Sequence, residues 1–262
     1  MLVYKLARIT LLVATLALST ACDADKDGSA SSTDDAEKAD TNKSDSETDE
    51  KDETVKLNVT VTVFDLAEDE PLPDIKVCIY PKFTDCKTTD KDGAVKLLLP
   101  AGAETGFLID GTASDHTKGL VLHTTGDEDY ETEYSIASSA TAKEFAESIG
   151  YKLDPDKAVI IGQVTTPDWS GGVQGVTLAL SPDAGFGPVY FNDDGVPDKS
   201  LEETTVGGGI AIFAEVPPGD YTLKFSRHNC TVTDSAWKAD VEGAARVPAI
   251  ANTRTTVAAY CE

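Results

Sequence analysis

Basic side chains are scarce. The 262 residues carry 22 Lys and Arg against 46 Asp and Glu, a net charge of -24. A nucleic-acid partner needs cationic surface to displace phosphate counterions, so the balance argues against that class. It argues equally against electrostatic docking on an anionic membrane. Histidine is scarcer still: His116, His123 and His228 are the whole supply. None stands in H-E-x-x-H, and there is no G-x-S-x-G elbow, no P-loop, no G-x-G-x-x-G and no C-x-x-C. Metal-dependent hydrolysis usually needs several converging His or carboxylate ligands. A hydrolase would therefore have to use an unfamiliar site.

What is present begins with an address. Lys5 and Arg8 make a basic start, and residues 9–21 form an uncharged stretch dominated by Leu, Val and Ala. That stretch is too short for a spanning helix, which needs about 20 residues. Ser19-Thr20-Ala21 stand directly before Cys22. The layout is secretory, and it resembles a bacterial lipoprotein signal, in which the cysteine is lipidated and becomes the new N-terminus. Ser19 stands where that family usually has Leu, with Leu18 one place earlier. The resemblance implies residues 1–21 as a signal peptide and Cys22 as the lipid attachment. More than one acyl chain would make that anchorage stable. The outer membrane or cell surface is the favoured address, with the periplasmic face of the inner membrane as the other. Simple cleavage, with Cys22 a bystander, is the alternative.

Residues 22–53 read as a tether. From 23 to 53 there is no Leu, Ile, Val, Met, Phe, Tyr or Trp, and 13 acidic side chains outnumber 4 basic ones. Without apolar surface to bury, such a segment cannot offset its ordering entropy and is expected to be disordered. As a coil it would reach roughly 30 Å. Asp23, Asp25, Asp27 and Gly28 imitate the start of a calcium loop, but Asp34 stands where the last ligand should be Glu. Residues 54–262 remain acidic, with 33 acidic and 16 basic side chains.

From Thr54 the pattern changes to period two. Leu57, Val59, Val61 and Val63 alternate with Asn58, Thr60 and Thr62, the signature of a half-buried strand. Further apolar faces follow at Ile75, Val77, Ile79 and at Val95, Leu97, Leu99, with strands expected at 106–110, 120–123 and 131–136. One helix is expected, capped by Ser139 or Thr141, with Ala142, Phe145, Ala146 and Ile149 on one face and Gly150 at its end. The strand grammar then restarts at 159–165, Val176-Leu178-Leu180, 210–216, Tyr221-Leu223-Phe225, 247–250 and 255–261. The two halves read as a diverged repeat of roughly 100 residues. The expected fold is all-β: two tandem β-sandwiches of prealbumin or Ig-like type, at 54–138 and 157–262, with a helix and linker at 139–156.

These residues resemble the carboxypeptidase regulatory-like family, a transthyretin-like sandwich. The second half carries the likeness through Gly162-Gln163-Val164, Gly175-Val176-Thr177-Leu178 and Pro217-Pro218-Gly219-Asp220-Tyr221-Thr222-Leu223. The first carries it at Pro71-Leu72-Pro73-Asp74-Ile75-Lys76-Val77 and Thr89-Asp90-Lys91-Asp92-Gly93, without the strand-one glycine. The family is an accessory domain of carboxypeptidases, so the likeness implies fold and no catalytic machinery.

Beyond Cys22, the cysteines are Cys78, Cys86, Cys230 and Cys261. Three pairings are open. Cys78–Cys86 with Cys230–Cys261 keeps each bridge within one half and is the pairing expected. Asp115-His116 is expected to be a solvated loop, and His228 a strand end near a disulfide. Asn192, Asp194 and Asp198 have part of a calcium-loop spacing, but Tyr190 stands where the first ligand would be, so a plain hairpin turn competes with calcium. Trp169, in the Thr166-Pro167-Asp168-Trp169-Ser170-Gly171-Gly172 loop, would either stack on a sugar ring or fold back over the core edge; Trp237 offers a weaker version of that choice. Three readings follow. The leading one is a non-enzymatic, membrane-anchored envelope lipoprotein whose sandwiches serve as interaction or spacer modules for an unknown protein or glycan. The second is a carbohydrate-binding module using Trp169, and the third is a hydrolase.

Overall fold

A computed structural model describes residues 55–83, 85–227 and 229–262. Residues 1–54, where the signal peptide, the Cys22 attachment and the tether with its Asp23 string are expected, lie outside the described residues, as do residues 84 and 228. The expected alternation is realised in β1 (Lys56–Asp65), where Leu57, Val59, Val61 and Val63 are buried and Asn58 is exposed. Each such burial stabilises by about 1.5–3 kcal/mol relative to exposure. The first half continues through β2 (Lys76–Tyr80), β3 (Cys86–Thr88), β4 (Ala94–Pro100), β5 (Glu104–Asp110), β6 (Lys118–Thr124) and β7 (Tyr130–Ile136). After helix α1 (Ser139–Ile149) come β8 (Ala158–Thr165), β9 (Leu178–Ser181), β10 (Phe186–Phe191), β11 (Pro197–Asp198), β12 (Ile210–Val216) and β13 (Gly219–Phe225). Then follow β14 (Thr231–Val232), β15 (Trp237–Lys238), β16 (Ala244–Ala249) and β17 (Thr253–Tyr260).

The halves repeat one topology. In the first, β1 pairs antiparallel with β4 and parallel with β7, while β5 lies between β2 and β6. In the second, β8 pairs antiparallel with β12 and parallel with β17, while β13 lies between β9 and β16. The repeat reaches single hydrogen bonds. Thr89 Oγ1 accepts from Ile75 N (2.9 Å) and donates to Leu72 O (2.7 Å). Thr204 Oγ1 accepts from Val176 N (3.1 Å) and donates to Val173 O (2.5 Å). Both staples hold a turn whose third residue is left-handed: Asp74 at φ 62° and Gly175 at φ 80°. Asp tolerates that region better than most side chains, which is how the first half dispenses with the glycine.

The halves are fused through one sheet. Its order is β11-β10-β12-β8-β17-β6-β5-β2-β3, with β14 on the far end of β17. The joint is the parallel pairing of β17 with β6, Thr253 opposite Lys118 through Thr256 opposite Val121. Neighbouring residues of β6 therefore serve different cores: Leu120 and Leu122 pack with the second half, while Val121 faces the first. One face of the long sheet carries the β4-β1-β7 sheet over the first half and α1 over the second. The other face carries β15-β16-β13-β9.

Trp237 secures the joint. Its Nε1 donates to the carbonyls of Thr105 (2.8 Å) and His123 (3.2 Å), and its ring stacks on Tyr80 with centroids 5.6 Å apart. Arg246 pairs with Glu104 beside it, and Thr124 N donates to Asp234 O (2.7 Å). On the opposite face, Arg254 sets its guanidinium 5.2 Å from the Tyr134 ring centre and donates to Ser135 O. β15 also lies along the outer edge of β16, which corresponds in the repeat to the edge of β6 that β17 occupies.

One local expectation is corrected, and one strand departs from the expected pattern. Neither Ser139 nor Thr141 caps α1; Ser138 does, its Oγ accepting from Thr141 N (3.2 Å), because the Ser139 amide and hydroxyl both turn to Asp115 O. Gly150 ends the helix as expected, at φ 77°. Strand β10 escaped the pattern because Gly187 and Pro188 interrupt it.

The seam predicts cooperative unfolding. Trp237→Ala should lower stability by about 3–5 kcal/mol, and the native chain should melt in urea as a single transition by fluorescence and circular dichroism. Two separated transitions in the native chain would show that the joint does not couple the halves.

Candidate functional site

The chemistry-bearing residues gather at the ends of strands. Odd-numbered positions of β1 point inward, so the alternation that buries Val59, Val61 and Val63 also buries Asp65, which is 8% exposed. A carboxylate there needs partners. Asp65 Oδ1 accepts from the amides of Ala67 (2.6 Å) and Glu68 (2.8 Å), and Oδ2 lies 2.9 Å from His116 Nε2. His116 Nδ1 lies 2.6 Å from Ser114 O. Both ring nitrogens thus face oxygen acceptors, so both contacts are hydrogen bonds only when the ring holds two protons. Burial pushes the Asp65 carboxyl up, but the two amides and His116 outweigh it and hold it below its ordinary value.

This overturns the expected solvated loop. Asp115 is exposed and left-handed at φ 58°, and that turn directs His116 inward, with its side chain only 14% exposed. Both ring nitrogens are turned to protein oxygens in this arrangement. His123 rests on Tyr130 with centroids 4.5 Å apart, and burial holds its imidazole below the ordinary value, Asp234 opposing. The hydroxyls of Tyr130 and Tyr134 and the Nε of Arg254 are buried without a hydrogen-bond partner.

Trp169 sits at φ 58° and donates its Nε1 to the Tyr260 hydroxyl (2.7 Å), edge-on to that ring at 5.2 Å. Hydrogen bonds from the side chains of Thr166 and Ser170 and from the Ser170 amide fix the preceding Asp168 and hold it near 2. In the β10–β11 hairpin, Asn192 Oδ1 accepts from the amides of Asp194 (3.1 Å) and Val196 (2.9 Å). Asp198 Oδ1 accepts from Ser200 N and Oγ, and Tyr190 is buried, its hydroxyl accepting from Leu178 N (2.9 Å). The Asn192 and Asp198 oxygens serve their own turns, and the Tyr190 hydroxyl serves the amide of Leu178 on β9. Among the described residues no three His, Cys, Asp or Glu side chains cluster to hold a metal ion, and no helix is long and apolar enough to cross a membrane.

Two disulfides join Cys78 to Cys86, directly opposed on β2 and β3, and Cys230 to Cys261. This is the expected pairing. The second ties the segment entering β14 to the end of β17, the strand on which the seam depends.

No family model matches the sequence, and no curated protein matches it. Solved structures are similar at low identity. The Bacillus anthracis TIE protein shares 14% identity at a TM-score of 0.27; the match covers 79% of this chain and 34% of that one, so this chain spans about a third of its length. GBS52, the minor pilin of Streptococcus agalactiae, shares 13% at 0.24, covering 79% of this chain and 96% of that one. The shaft pilin SpaA from Lactobacillus rhamnosus GG shares 10% at 0.27, covering 79% and 98%.

The Asp65–His116 corner makes a prediction about acid. Because the folded carboxyl is depressed below its ordinary value of 3.8, its stabilisation is fully present above that pH and is lost as pH falls through the lower folded value. Asp65→Asn should lower Tm at pH 6, and the difference from the native chain should shrink steadily from pH 4 to pH 2. A difference constant over that range, measured by calorimetry, would contradict the assignment.

Proposed function

We propose that this chain is a non-enzymatic lipoprotein of the bacterial cell envelope. It is anchored through Cys22 at the outer membrane or cell surface and presents a stiff two-sandwich body as a spacer and interaction module. The observation that supports the reading is the seam. Two sandwiches joined by a continuous sheet, with Trp237 bonded across the joint, cannot hinge as beads on a flexible linker do. Among the described residues the His116–Asp65 pair serves the architecture, as do the hydrogen bonds of Asn192 Oδ1 in its hairpin. The basic start, the uncharged stretch and Cys22 supply export and attachment in this reading, and the acidic run from 23 to 53 supplies stand-off. Within it, the second half is the carboxypeptidase regulatory-like member, carried by its Pro217-Pro218-Gly219-Asp220-Tyr221 turn.

Metabolic labelling tests the anchor. Radiolabelled palmitate should enter the native chain expressed in a bacterial host and should not enter Cys22→Ala, which should leave the membrane fraction. Label in the variant, or none in the native chain, would overturn the proposal.

A further inference from the structure

The repeat singles out one edge of the molecule. Corresponding bridges, Phe64 with Pro71 and Thr165 with Gly172, align β1 with β8. Val59 is then the counterpart of Ile160. Val59 faces Tyr130 across β1 and β7, and Ile160 faces Thr255 across β8 and β17. Tyr130 of β7 therefore corresponds to Thr255 of β17. Thr255 has a second neighbour, Leu120 of β6, in parallel pairing. Among the described residues Tyr130 has none: β7 is the last strand of its sheet. One fold, used twice, carries an added parallel strand on this edge in one copy and leaves it open in the other.

The open edge has its own chemistry. Ile136 O accepts from Leu66 N at the β1 side, whereas Ser135 O turns away from β1 to Arg254. In a parallel ladder the amide and carbonyl of a residue point to the same side, so Glu131 and Glu133 direct theirs outward with Ser135. Their side chains are exposed, and Asp127, Glu128 and Asp129 precede them. Asp129 turns to β1, where it accepts from Asn58 N (2.7 Å) and Nδ2 (2.8 Å), so four carboxylates border the open edge of β7. Charged side chains also guard edges against aggregation, and a guard of one sign admits a strand of the other.

We propose that the β7 edge binds an extended, lysine- or arginine-bearing peptide segment as an added parallel strand. Backbone hydrogen bonds to residues 131 and 133 would give register, and the carboxylates would select for cationic side chains.

The test uses the full chain and a fluorescein-labelled peptide of four alternating Lys-Val pairs, followed by anisotropy. Three comparisons accompany it: a Glu-Val peptide, a Lys peptide with proline at alternate valines, and the Glu133→Pro and Glu131→Lys/Glu133→Lys variants. Glu133→Pro removes an outward amide and leaves the β1 ladder intact; melting curves should confirm folding of both variants. Saturable binding is expected for the Lys-Val peptide only. It should weaken about tenfold or more in each variant, and the amides of 131 and 133 should gain hydrogen-exchange protection when it binds. Equal binding of the proline peptide, or no loss in Glu133→Pro, would mean charge attraction without strand addition and would overturn the proposal. So would the absence of saturable binding, or protection appearing elsewhere.

Discussion

The parallel hydrogen bonding of β17 to β6 is the constraint from which the rest of the architecture follows. A sandwich leaves open edges at both ends of both sheets, and each edge carries unpaired amides and carbonyls. Joining β6 to β17 satisfies one edge of each half with the other. The joint requires β6 to show alternate residues to two different cores, and Leu120, Val121 and Leu122 do so. It also puts the β4-β1-β7 sheet and the β15-β16-β13-β9 sheet on opposite faces of the long sheet. A slip of one residue at the joint would exchange those faces, turning Leu120 and Leu122 away from the second core. The tryptophan, arginine and threonine contacts around the joint hold that register.

Much of the fold was legible because its strands are half-buried. Leu57 to Val63 alternate without exception, and Val95, Leu97 and Leu99 do the same. Turn chemistry marked the repeat: Pro71 to Ile75 and Gly175 to Leu178 occupy corresponding turns, stapled by Thr89 and Thr204. The joint was not legible. Parallel pairing between strands far apart in the chain leaves no local signature, and β14 and β15 are two residues each, too short for any period to register. The helix was visible as an amphipathic run, but its role was not. It lies between the halves in sequence, yet its buried Ala146 and Ile149 pack with Phe191, Ile212 and Ala214 on the second half of the long sheet.

The chemistry of individual residues was legible only where the strand pattern carried it. The alternation of β1, followed one step past Val63, places Asp65 on the inward face and implies a buried partner for it. That signal was available at Asp65, but nothing local to β1 names His116, 51 residues away, as the partner. Trp237 and Arg254 had no such signal. Their partners, Thr105, His123, Tyr134 and Ser135, lie in the other half of the chain, and nothing local to either residue announces them.

The small strand β15 has a consequence out of proportion to its length. A head-to-tail joint between unlike edges does not close on itself; left exposed at both ends, it builds filaments. Here the joint could pass from molecule to molecule only if a β7 edge met a vacant β16 edge. Two residues, Trp237 and Lys238, already lie along β16. Among the described residues, the edge that would receive such a joint is thus already occupied where β15 lies, while its counterpart on β7 is not.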